Sequence, residues 1–210
     1  MAEWTDFSLF IGTTNVEYHP KNRFSIRLIE DYLLGGILFL LSLPLFLSIA
    51  FISKVVQGGP VLFRQKRRGF AEQYFHIIKF RTISSKQADT QTVPSTSTKW
   101  GRFLRYTSLD ELPQFINVMK GEMSLVGPRP HEETEDAYFR ANISGYEERF
   151  LVKPGITGWA QVNGWRGENA DPAHLRQRVD HDIGYIRHWS LRLDMKIILL
   201  TPAAMCRTAR

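Results

Sequence analysis

The sequence predicts a mainly α chain with a minor β hairpin (α+β), attached to a membrane. Three observations lead there. Positions 32–53 carry no charge, two short β-like runs flank a basic turn within 61–80, and apolar residues recur at helical spacing over 112–119 and 175–200. At 210 residues, with 43% of them apolar, the chain can bury one core and form one functional unit.

The first element is the uncharged run from Tyr32 to Ser53, 22 residues, whose straight helix would reach ~33 Å and cover a bilayer core. Length permits a crossing. The flanks give it no direction, because Lys21, Arg23 and Arg27 precede the run and Lys54, Arg64, Lys66, Arg67 and Arg68 follow it. Pro44 removes a backbone hydrogen bond just past the middle, so a bend is expected near Ser42 and Pro44, with the Ser42 and Ser48 hydroxyls bonding carbonyls freed there. On these residues a kinked crossing and a re-entrant helix stand equal. The run starts too late and runs too long for a cleaved leader. Cys206 is the single cysteine, which excludes an internal disulfide.

The second element is the hairpin. Gly58, Gly59 and Pro60 mark a turn, followed by runs at Val61–Phe63 and Tyr74–Phe80. Charge is concentrated here: the net +6 conceals a block from Lys54 to Arg105 holding 11 Lys or Arg against Glu72 and Asp89, so that block carries +9 and the remainder −3. Nucleic acid, acidic lipid and nucleotide phosphates all suit such a block. Positions 84–98, rich in Ser and Thr, read as a loop that could cover a site.

The third element is a short helix after Arg105, with Leu112, Phe115, Ile116 and Met119 on one face and Gly121 at its end. Asp110 and Glu111 lie at its start, and Ser108 with Glu111 matches a capping box. Helix-terminal acids are ordinary stabilising residues. The same environment would also keep Asp110 ionised, as a carboxylate nucleophile requires, with Glu111 free to hold a divalent metal and Arg105 to attract phosphate. Arg129 follows between two prolines, a rigid setting for a guanidinium. Beyond it, Trp159 and Trp165 sit in a Gly- and Pro-rich stretch suited to a lipid interface. Two helices then follow, the second expected on the membrane and stopped by Pro202. His181 and His188 read as surface or core residues.

Together LFRQKRRG, IIKFRT, GRFLRYTSLDELPQ, MSLVGPRP and KPGITGWAQVNG, in this order after a proline-broken apolar helix, resemble the bacterial sugar transferase family of small monotopic phosphoglycosyl transferases, from about Arg27 to Thr201. The resemblance implies transfer of a sugar 1-phosphate from a UDP-sugar to undecaprenyl phosphate, with release of UMP, at the cytoplasmic face of the bacterial inner membrane. It implies Asp110 as nucleophile carrying a covalent phosphosugar, Glu111 beside it for Mg²⁺, and Lys79, Arg81, Arg105 and Arg129 as phosphate-binding cations. It also favours re-entry, with the helix broken at Ser42 and Pro44. Leu43 departs from the family's Ser-Pro pair, and Ile83 stands where Met usually follows KFRT.

The expected organisation is a polar segment at 1–22, a re-entrant hairpin at 23–57 and a cytoplasmic catalytic domain with interfacial helices at 58–210. NGWRGE and the residues after it resemble members using UDP-glucose, as in exopolysaccharide synthesis. The partners implied are a UDP-sugar, undecaprenyl phosphate and membrane lipids, with a homodimer allowed and no nucleic acid. The alternative is a membrane-anchored basic adaptor that binds acidic lipid or nucleic acid without catalysis.

Overall fold

A computed structural model describes residues 20–83, 98–166 and 172–208. The Ser- and Thr-rich loop expected over 84–98, and with it the question of whether it covers a site, lies outside these residues except Thr98, which caps the next helix.

α1 (Pro20–Gln57) runs as one helix of 38 residues with Pro44 inside it. The sequence predicts a helix broken there into a hairpin, whereas the backbone stays helical throughout. The proline's cost, about 3 kcal/mol, is offset locally by packing. Phe46 meets the Phe80 ring at 5.0 Å, and Ile49 and Ala50 join Phe80 and Leu104 in a small core cluster. The serine hydroxyls donate into the helix itself, Ser42 to the Phe39 carbonyl at 2.9 Å and Ser48 to that of Pro44 at 2.8 Å.

One stripe of α1 packs on the rest of the protein along its length. Leu34 and Leu38 meet the main core, Phe39 meets Phe115, and Ser53 accepts from the Trp100 indole at 2.9 Å. The opposite face leaves Leu33, Leu41, Phe51 and Val55 each at least 65% exposed. A helix about 57 Å long that touches the same body near both ends does not stand away from it as a stalk. Its apolar outer face is compatible with a membrane anchor.

β1 (Leu62–Arg68) and β2 (Tyr74–Phe80) form the expected antiparallel hairpin, with β1 longer than predicted, pairing Leu62 with Phe80 and Arg68 with Tyr74. α2 (Lys99–Tyr106) was not foreseen. It is capped by Thr98 and packs Gly101 so closely on the Thr82 carbonyl that a Cβ would lie 1.9 Å from that oxygen. The helix predicted after Arg105 divides into a 3₁₀ turn at Leu109–Glu111 and α3 (Gln114–Met119), because Pro113 starts the latter.

β3 (Ser124–Val126) pairs in parallel with β4 (Gly155–Thr157), and α4 (Glu133–Asn142) lies between them in sequence. α5 (Trp159–Val162), α6 (Pro172–Arg187) and α7 (Leu191–Thr208) complete the order. The main core gathers Phe75, Val118, Met123, Val126, Trp159, Tyr185 and Ile197 from six elements. Two expectations fail here. Trp159 is buried in that core and not at a surface, and Pro202 lies within α7, whose Leu193 and Ile197 face the core while Leu199 is exposed.

Candidate active site

The site assembles where β2, the 3₁₀ turn and the loop after β3 converge. Ser108 opens the turn in the left-handed backbone region (φ 55), a conformation that costs a non-glycine residue on the order of 1 kcal/mol or more. That bend carries Asp110 inward, where it is buried, and points Glu111 at the strand. The anticipated capping box does not form, since the Ser108 hydroxyl caps nothing and instead accepts from Arg166 Nη2 at 2.6 Å.

Glu111 is the hub. Arg129 grips it with two bonds, Nη2 to Oε1 at 2.6 Å and Nη1 to Oε2 at 3.1 Å, and Lys79 Nζ donates to Oε1 at 3.1 Å. Burial alone would raise the Glu111 pKa, but Arg129 and Lys79 overwhelm it and hold the carboxyl far below the usual range. Asp110 responds oppositely. Burial, then the neighbouring Glu111 charge, push it up to about 6, with Lys79 and Arg129 offsetting part of the rise. At neutral pH both carboxyls are ionised, one tied and one poised.

Arg129 owes its position to a tight backbone crossing. Gly127 donates to the Thr157 carbonyl at 2.9 Å, Gly155 donates to that of Pro128 at 3.0 Å, and a Cβ on Gly127 would lie 2.5 Å from the Lys153 carbonyl oxygen. The Arg129 carbonyl accepts from buried Arg149 at 2.6 Å. Arg149 is itself held by Asp182 at 2.9 Å and by Tyr146 and His131, and Tyr146 makes a short bond to Asp136. Burial and the surrounding arginines keep His131 neutral.

Of the cations expected on phosphate, Lys79 and Arg129 meet at the carboxylates. Arg105 is exposed on α2 and makes no side-chain hydrogen bond or ion pair among the described residues. Arg81 turns away, its guanidinium donating to the Gln57 and Gly58 carbonyls at the end of α1. Ser42 and Pro44 lie within α1. Two contributors were not anticipated. Arg166 adds a cation whose pKa burial and Arg129 push down and Glu111 and Asp110 pull back, so it shares their field. Arg149 supports the loop from beneath. Arg166 was visible as a lone cation in the Gly-rich NGWRGE stretch, whereas nothing local marks Arg149.

Among the described residues no group of three or more His, Cys, Asp or Glu could hold a metal. Mg²⁺ needs less than that, taking one or two carboxylates beside substrate phosphates and several waters. Glu111 accepts three bonds and a carboxylate offers about four acceptor positions. The Asp110–Glu111 pair therefore fits such an ion only in company with a phosphate ligand.

A family model described as bacterial sugar transferase matches residues 22–208. The chain is 46% identical over 178 residues to a UDP-glucose:undecaprenyl-phosphate glucose-1-phosphate transferase of Klebsiella pneumoniae, covering 82% of this chain and 38% of that protein. A protein of the same description from Caulobacter vibrioides is 43% identical over 183 residues, covering 85% of this chain and 68% of that one. A UDP-N-acetylgalactosamine-undecaprenyl-phosphate N-acetylgalactosaminephosphotransferase of Aeromonas hydrophila is 41% identical over 176 residues, covering 81% and 41%. The chain thus spans about two fifths of the Klebsiella and Aeromonas proteins.

Proposed function

Because the chain belongs to the bacterial sugar transferase family, we propose that it transfers glucose 1-phosphate from UDP-glucose to undecaprenyl phosphate and releases UMP, as the first membrane step of an exopolysaccharide or other surface glycan. The observation that carries this is the buried Asp110 beside a Glu111 already neutralised by Lys79 and Arg129.

In this scheme an Asp110 carboxylate oxygen attacks the β-phosphorus of UDP-glucose. The bond from that phosphorus to the bridging oxygen breaks, and UMP leaves with the electron pair. The glucosyl phosphate stays on Asp110 as an acyl phosphate until an oxygen of undecaprenyl phosphate attacks the same phosphorus and frees the carboxylate. Two displacements let a soluble and a lipid substrate use one carboxylate in turn. An anionic nucleophile approaching an anionic diphosphate needs fixed positive charge, which Lys79, Arg129 and Arg166 supply with little reorganisation; Arg105, exposed on α2, would join them once the diphosphate binds. Mg²⁺ bound to the carboxylate pair and the diphosphate would add Lewis-acid neutralisation of the leaving phosphate.

α1 lies with its exposed apolar face in one leaflet, bending at Pro44, and both its ends stay on the cytoplasmic side. Basic flanks at either end and the packing of both halves on the catalytic body support this placement. The lipid phosphate then arrives at membrane depth beside the site.

The test is nucleotide release by the purified chain in nanodiscs given Mg²⁺, undecaprenyl phosphate and UDP-glucose. UMP is expected. UDP would overturn the mechanism, turnover only with a UDP-N-acetyl sugar would change the donor, and no release with any UDP-sugar would leave the basic adaptor as the better reading.

A further inference from the structure

Arg81 sits two residues from Lys79 yet reaches away from the carboxylates. Its Nη2 donates to the Gln57 carbonyl at 3.0 Å and the Gly58 carbonyl at 3.1 Å, and Gln57 Nε2 donates back to the Arg81 carbonyl at 3.2 Å. The last carbonyls of a helix have no intrahelical donor, and a cation there also meets the negative end of the helix dipole. Gly58, with φ +75, gives α1 the left-handed ending that presents those carbonyls. The Arg81 amide donates to Val61 at 2.8 Å, fastening the same residue to the chain that enters β1. Nη2 is thus committed to the helix end, and Nε is closed off from solvent without a partner of its own.

The other end of α1 is fastened in the same manner. Asp31 accepts from the Ser124 hydroxyl at 2.7 Å and the Leu125 amide at 2.8 Å, and Arg27 donates to the Val126 carbonyl at 2.8 Å. Three residues beyond Val126 stands Arg129. Each end of the apolar helix is therefore bonded to the strand that delivers one of the two cations on Glu111.

Resting on the transfer reading above, we propose that Arg81 is a positioning residue and not a phosphate ligand: it locks the end of α1 to β2 so that Lys79 meets Glu111 beside Asp110. The clamp acts through distance. Lys79 reaches Glu111 at 3.1 Å from a strand end held by these bonds, and a displacement of about 1 Å at such a site costs on the order of a hundredfold in rate.

The experiment is a pair of double-mutant cycles on the full chain in nanodiscs, using R81Q, K79M and the double variant. In UMP release, R81Q should lower kcat by roughly ten- to a hundredfold with KM for UDP-glucose changed less than about twofold, and should cost less than about threefold more in the K79M background. R81K keeps the charge and a nitrogen able to meet the same two carbonyls, both of which accept from Nη2 alone, so it should remain folded and recover part of the lost kcat. A phosphate ligand would behave otherwise: KM would rise in R81Q and the losses would multiply. Any of these outcomes, or an R81Q of unchanged rate, overturns the proposal. The second cycle follows thermal unfolding without substrate, where the Tm loss caused by K79M should be roughly halved in the R81Q background; additive losses overturn the clamp. Failure of the transfer reading would appear in the wild type itself, as absence of UMP, and leaves the unfolding cycle able to decide.

Discussion

Asp110 should weaken the fold that it serves. Its carboxyl is buried, and burial and the Glu111 charge push its pKa up to about 6 from the ordinary 3.8. A folded-state pKa above the unfolded value means the native state holds the proton more tightly, so native stability suffers as the group ionises. The penalty is absent below about 3.8, grows between there and about 6, and is constant above. A shift of about two pH units is worth about 3 kcal/mol at pH 7.5 and roughly half of that at pH 5. Asp110→Asn keeps the shape and removes the charge, so it should stabilise the protein by up to about 3 kcal/mol, raising Tm by roughly 6–12 °C for a chain of this size, while abolishing UMP release. The assay is thermal unfolding of wild type and variant in one detergent at pH 7.5 and pH 5. The gap between the two melting curves should shrink to about half at the lower pH. A variant less stable than wild type, or a gap indifferent to pH, would refute the account of Asp110 as a desolvated, ionised nucleophile.

Glu111→Gln should act in the opposite sense, because it leaves Lys79 and Arg129 without their shared anion: a loss of about 3–5 kcal/mol is expected at pH 7.5, read as a lowered Tm. The Glu111 pKa is depressed in the native state, so its contribution is present above the unfolded value near 4.5 and is lost as pH falls below it; an unchanged Tm at pH 7.5 would contradict the hub. For topology, single cysteines at Ile26 and Arg64 in a Cys206→Ser background should both react with an impermeant reagent from the cytoplasmic side of inverted vesicles. Labelling from opposite sides would establish a crossing.

What could be read from the chain was whatever lies close together in it. The uncharged run of α1, the hairpin of β1 and β2, the acidic pair at the start of a short helical segment and the proline-flanked Arg129 are local patterns, and local patterns survive without a fold. The five motifs in order sufficed for the family. What could not be read was which charge finds which partner. Lys79 and Arg81 alternate with apolar residues in the same strand-like run, yet Lys79 lands on Glu111, 32 positions on, and Arg81 on a helix end 24 positions back. Strand periodicity gives both cations one face but says nothing of the two bodies that face them. Trp159 illustrates the same limit: an indole in a glycine-rich stretch suits a lipid interface, and only the closure of β4 against β3 places it in the core. Arg149 depends on the fold most of all, since its role rests on Asp182 and the Arg129 carbonyl, 33 and 20 positions away. Composition and short-range spacing thus determined the apolar run, the hairpin, the later helices and the carboxylates, but not α2, α4 or the β3–β4 pair. Long-range packing alone decided how charge is paired, because a buried cation takes whatever acceptor the tertiary structure brings within about 3 Å.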